Sequence, residues 1–134
     1  MTTLQRLAIT AFCLVCCRSN LARSDPDVSG VNYICNPDTY SDDSLYAFNV
    51  EEALYAIPYN TATQGFNYYT VSSNDLAKCY AHGACNGEIS YNDCYICLET
   101  AVYQIMNQYC PLRIGGHLQL VDCRIRYENY PFKE

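Results

Sequence analysis

The stretch CNGEISYNDCYIC, residues 85–97, decides the fold. Ser90 and Asp93 form a Ser-x-x-acid pair, the signature of a helix start. A serine oxygen can accept from an orphan N–H of the first turn, and the acid complements the positive end of the helix dipole. From there Cys94, Cys97, Leu98, Ala101, Ile105 and Tyr109 recur at helical spacing until Pro111 ends the run. Two of the three cysteines in the pattern Cys85-x8-Cys94-x2-Cys97 therefore sit in the first turns of a helix.

The flanking sequence predicts a second helix and several short strands. Asp42, Asp43 and Ser44 offer caps for a helix running to about Ile57, with Leu45, Phe48, Ala53, Leu54 and Ile57 on its apolar face and Pro58 as the stop. Val31 to Ile34, Phe66 to Val71, Lys78 to Ala84, His117 to Val121 and Arg124 to Glu128 read as strands, several of them rich in tyrosine and β-branched residues. Two helices among short strands without βαβ alternation predict an α+β domain with an antiparallel sheet.

Composition bounds what such a domain does. The chain has 134 residues, room for one domain, with 8 Lys plus Arg against 14 Asp plus Glu. A net charge of −6 excludes nucleic acid as a partner, since phosphate binding needs a basic face. Residues 1–24 read as a secretory signal: Arg6 is followed by the apolar run LAITAFCLVCC, too short to span a bilayer. No later stretch is apolar enough for an integral membrane segment. Removing residues 1–24 leaves five basic and fourteen acidic residues, a net of −9. Residues 25–31 read as a loose, polar leader, and the domain proper spans 32–132. Seven cysteines remain, Cys35, Cys79, Cys85, Cys94, Cys97, Cys110 and Cys123, and an extracellular, apoplast-like compartment favours disulfides among them. The odd count leaves one thiol over, and composition alone does not choose the pairing.

The Cys85-x8-Cys94-x2-Cys97 spacing, Cys35 followed by Asn36, Cys110 at the end of the second helix and the tail QLVDCRIRYENYPF together resemble the plant cysteine-rich secretory domain, the ginkbilobin-like or salt-stress/antifungal family. The resemblance runs from about Asn32 to Phe132. It implies two helices packed on an antiparallel sheet of about five strands, with bridges Cys35–Cys110, Cys85–Cys94 and Cys97–Cys123. Cys79 has no counterpart among the family's six. It reads as a buried free thiol, with a homodimer bridged through Cys79 as the alternative.

The resemblance also implies a mannose-type glycan site, antifungal defence and no cofactor. The family's sugar contacts fall on Asn36, His117 and Glu128, where His117 stands at the family's arginine position. An amide donates and accepts, a carboxylate accepts, and sugar hydroxyls need both. A histidine offers fewer donors than a guanidinium, and its protonation in an acidic space would return a charged one. His117 and Glu128 are 11 residues apart, about 36 Å if extended, so they meet only if the chain reverses. A hairpin turning near Val121 to Cys123 would bring them opposite each other. Blander roles exist for each: an Asx turn at Asn36, an ion pair between Glu128 and Arg126 or Arg124, and a plain strand position for His117. His82 reads as structural or solvated, and the fourteen tyrosines read as core and strand-surface residues rather than sugar platforms.

Other chemistries fit less well. Cys94-Tyr95-Ile96-Cys97 has thioredoxin spacing, but the parallel βαβ context is missing. A zinc site on Cys85, Cys94, Cys97 and a histidine conflicts with an oxidising route. No Ser/His/Asp order or metal-ligand motif points to an enzyme, and no Asn-x-Ser/Thr acceptor is present. An acidic chain is also repelled by anionic membranes, so antifungal action would run through glycan recognition or a protein target. An extracellular interaction or signalling module, with the sugar site lost, is the second reading.

Overall fold

Two helices and five strands follow one another as β1 (Asn32–Cys35), α1 (Leu45–Asn60), β2 (Asn67–Val71), β3 (Tyr80–Cys85), α2 (Tyr91–Gln104), β4 (Gly116–Gln119) and β5 (Cys123–Glu128). This computed structural model describes residues 25–134, and the signal expected at residues 1–24 lies outside them. The strands form one sheet in the order β1-β4-β5-β3-β2, every neighbouring pair antiparallel. The α+β expectation of two helices on a five-stranded antiparallel sheet is met.

Each helix begins on a serine. Ser44 Oγ accepts from the Ala47 N–H, and Ser90 Oγ accepts from the Asp93 N–H at 3.0 Å. The helices cover one face of the sheet, where Leu54, Ile57, Leu98, Ile105, Leu118, Ile125 and Tyr127 are buried together. Alternation along β5 then sends Arg124, Arg126 and Glu128 to the other, open face. α1 approaches β3 closely because Gly83 has no side chain. A Cβ there would overlap Ile57 Cγ2 and lie 3.0 Å from Thr61 Oγ1.

Three disulfides, Cys35–Cys110, Cys85–Cys94 and Cys97–Cys123, have Cα separations of 5.5, 5.7 and 6.0 Å. They tie β1 to the turn after α2, the end of β3 to the start of α2, and α2 to β5. Cys94 and Cys97 thus go to different partners, which leaves neither a thioredoxin-type pair nor a thiolate set for zinc. Among the described residues Cys79 is the free cysteine, and it is fully buried. Burial pushes its thiol up to about 12, against a hydrogen bond with Tyr46 that acts the other way. A homodimer bridged through Cys79 therefore has no exposed sulfur to form from.

Several expectations need correction. α1 runs through Pro58 to Asn60, so the proline does not stop it. Its ring is buried and costs only the helical bond to the Leu54 carbonyl, near the helix end. Leu45 and Phe48 are exposed, and the buried stripe is Tyr46, Ala47, Asn49, Val50, Ala53, Leu54 and Ile57. Asn49 joins it because its Nδ2 donates to the Leu76 and Ala77 carbonyls at 2.9 and 2.7 Å. The leader is not loose. Val121 and Asp122 donate their N–H groups to the Ser29 and Asp27 carbonyls, each at 3.0 Å. β3 begins at Tyr80 rather than Lys78, and β4 ends at Gln119 rather than Val121.

Gly83→Ala should destabilise the fold by about 1–3 kcal/mol, because the added methyl meets a packed helix; chemical denaturation measures it. In the chain from Asp25 onward, thiol titration should find one reactive thiol in denaturant and none reacting promptly in the native state.

Candidate glycan-binding cleft

The end of β1 places Asn36. Its N–H donates to the Gly115 carbonyl at 2.9 Å, extending the β1–β4 ladder, and its Oδ1 accepts from the Asp38 N–H at 2.9 Å. The Asx turn is real, and it leaves the side-chain NH2 to donate outward. Arg113 Nη1 donates to the Pro37 carbonyl at 2.7 Å and the Ile114 N–H donates to the Asp38 carbonyl at 3.1 Å, which pins this loop to the segment before β4.

The β4–β5 hairpin forms in a register different from the one expected. Leu120 N–H donates to the Cys123 carbonyl at 2.8 Å, so Val121 and Asp122 alone make the turn. His117 is then paired with Arg126, not with Glu128. The slip is of two residues, which preserves the face, so Glu128 still projects beside His117. A two-residue turn is the tightest closure for antiparallel strands.

Glu128 is mostly buried at 9% exposure. Its Oε1 accepts from Arg126 Nε at 3.1 Å. Its Oε2 occupies the space where Gly115 would carry a Cβ. His117 turns Nε2 inward, where that atom is buried without a hydrogen-bond partner. Arg126 Nη2 also donates to Tyr130 Oη at 3.4 Å, and the guanidinium stands 4.3 Å from the Phe132 ring centre. Asn36, His117 and Glu128 line one open cleft of about 420 Å³, together with Ile34, Gly116, Arg126 and Tyr130. All three expected residues are brought together, and Arg126 is the neighbour the sequence reading did not include in the site. The missed signal was parity: Arg126 and Glu128 are two apart in one strand and must share a face.

His82 lies beside this cleft under the last residues. It stacks on Tyr69 at 4.0 Å, its Nδ1 donates to Glu134 Oε2 at 2.8 Å, and its Nε2 meets the Asn67 amide. Burial holds its imidazole below the ordinary range, although the Glu134 carboxylate pulls the other way. The Glu134 carboxyl is held low: burial raises it, but the His82 hydrogen bond and the surrounding cations outweigh that.

A sheet with two helices, three disulfides and a polar cleft on its open face defines a small, cysteine-rich secretory-type domain. Residues 34–130 match the family described as salt stress response/antifungal, and the chain belongs to that family. It is 32% identical over 113 residues to antifungal protein ginkbilobin-like protein 1 of Picea glauca, covering 83% of this chain and 79% of that protein. It is 34% identical over 104 residues to antifungal protein ginkbilobin-2 of Ginkgo biloba, covering 76% and 77%. Plasmodesmata-located protein 7 of Arabidopsis thaliana is 33% identical over 101 residues, 73% of this chain but only 33% of that longer protein. The tandem DUF26 ectodomain of the Arabidopsis thaliana cysteine-rich receptor-like protein PDLP8 superposes with a TM-score of 0.69 at 25% identity, over 75% of this chain and 48% of that one.

Acidification should weaken the fold. With the folded His82 held low, the unfolded ring takes its proton first as pH falls through about 6.5, so stability drops from there down to the folded value. The low Glu134 adds a further loss on falling below the ordinary carboxylate range. Denaturation at pH 7.5 and 5.5 should show this decline, flattened in His82→Gln.

Proposed function

We propose that this protein is a secreted, defence-type glycan-binding domain whose site is the cleft of Asn36, His117 and Glu128. The observation that carries the reading is that three residues from β5, β4 and the end of β1, far apart in sequence, line one polar cleft. Their chemistry suits vicinal hydroxyls: the Asn36 NH2 donates, the Glu128 carboxylate accepts, and His117 flanks them. Similarity to ginkbilobin-like antifungal proteins supports a defence role, and mannose-type sugars are the ligands this reading assigns to the cleft. Three disulfides support an extracellular location. The reading involves no enzymatic step.

The similarity to plasmodesmata-located proteins favours a second reading, an extracellular interaction or signalling module on the same fold. Mannan pull-down separates the two. Under the first reading the wild type is retained and Glu128→Ala is lost, since a charged hydrogen bond is worth about 1.5–3 kcal/mol and a millimolar sugar site holds only about 4 kcal/mol. Gly115→Ala should lose binding, because its methyl displaces the end of the Glu128 side chain and crowds the Tyr127 carbonyl at 3.1 Å. A wild type that ignores mannan, or binds it unchanged after Glu128→Ala, favours the interaction module.

A further inference from the structure

The open face of the sheet gathers the basic side chains of the strands. The five strands contribute four residues able to carry positive charge, His82, His117, Arg124 and Arg126, and one acid, Glu128. In a chain with 14 acidic and 8 basic residues, that concentration is local. Register aligns it: His82 on β3, Arg126 on β5 and His117 on β4 occupy one row across three strands. Arg124 stands two residues along β5 on the same face.

A carboxylate already sits on this row. Glu134 Oε2 is 2.8 Å from His82 Nδ1 and 3.5 Å from Arg124 Nε, and Oε1 is 3.6 Å from Arg126 Nη1. The backbone N–H of Glu134 donates to Tyr69 Oη at 2.8 Å, which holds the segment down. The match is incomplete, because Arg124 Nε and His117 Nε2 are buried without a hydrogen-bond partner. Two clefts flank the row. One is the 420 Å³ cleft of Asn36 and Glu128; the other, about 350 Å³, is lined by Asn67, Asn86, Gln119 and Arg124, with Glu134 in its wall.

We propose that this row is the carboxylate subsite for an acidic sugar, a uronate within a glycan that runs between the two clefts, and that the Glu134 side chain is its internal stand-in. The proposal rests on reading the neighbouring cleft as a glycan site. Exchange of one carboxylate for another keeps the cations paired at every stage, so the desolvation cost of opening the row is avoided. A guanidinium takes a carboxylate through two parallel donors, and Arg126 stands between both clefts. The side-chain NH2 groups of Asn67 and Asn86 and the side-chain oxygen of Gln119, which their internal hydrogen bonds leave over, supply donors and an acceptor for the hydroxyls of the next sugar.

The test is calorimetric titration of the purified protein with oligogalacturonate, its methyl ester, a manno-oligosaccharide and sodium acetate. Oligogalacturonate should bind at least about tenfold more tightly than the ester, whose methylated carboxyls carry no charge. Glu134→Gln should strengthen oligogalacturonate several-fold and leave the manno-oligosaccharide unchanged. Arg126→Gln should abolish the preference for acid over ester, with Arg126→Lys retaining part of it. Equal binding of acid and ester, or an unchanged affinity in Glu134→Gln, overturns the subsite. Acetate competing as well as the sugar overturns its assignment to a glycan. Oligogalacturonate behaving as expected while the manno-oligosaccharide fails to bind removes the mannose reading and leaves the subsite standing. Binding of the manno-oligosaccharide alone removes the subsite and leaves the cleft.

Discussion

The Cys35–Cys110 disulfide is the constraint on which the cleft depends. β1 is four residues long, is an edge strand, and buries little of its own surface. Such a strand holds its place weakly through backbone pairing alone. The bridge joins it across 75 residues to the turn that follows α2, which on the chain-entropy view is worth about 4.5 kcal/mol against the unfolded state. With Cys35 anchored, Asn36 can extend the ladder to Gly115, and Gly115 in turn leaves room for the Glu128 carboxylate. One covalent link thus positions the first wall of the cleft and, through a glycine, its floor.

The two faces of the sheet divide the labour. The helix-covered face carries the apolar core and two of the three sulfur links that brace α2, so the domain remains rigid without a large interior. The open face carries no helix and collects nearly all the charge that the strands possess. Arg126 stands at its centre, held at once by Glu128, Tyr130, Phe132 and Glu134. A guanidinium with partners on several sides is preorganised, so little side-chain entropy remains to be lost when a ligand exchanges with one of them.

Much of the architecture was legible in the chain. Serine caps, helical spacing after Cys94 and alternating strands found both α-helices and all five strands but not the 3-10 turn at Ala62–Gln64 or the π-helical end Ile105–Tyr109 of the second helix, and family resemblance supplied the bridges that spacing left open. Errors arose where a side chain served a distant partner. Asn49 has no place in an apolar pattern, yet it faces inward because its amide donates to the Leu76 and Ala77 carbonyls. Asp27 and Ser29 looked like a loose leader, yet their carbonyls take up the N–H groups of the β4–β5 turn.

Local pattern determined which residues form helices and strands and that an oxidised cysteine framework holds them; family resemblance, not pattern, made Asn36, His117 and Glu128 candidates for one site. Tertiary structure decided how those residues meet. Strand register depends on turn length and on contacts across the sheet, and a shift of two residues keeps every side chain on its face while changing its neighbour. That is why His117 faces Arg126, why two arginines and two histidines share one surface, and why a carboxylate from the last described residue lies among them. Alternation is written in neighbouring residues; pairing is settled only when distant strands dock.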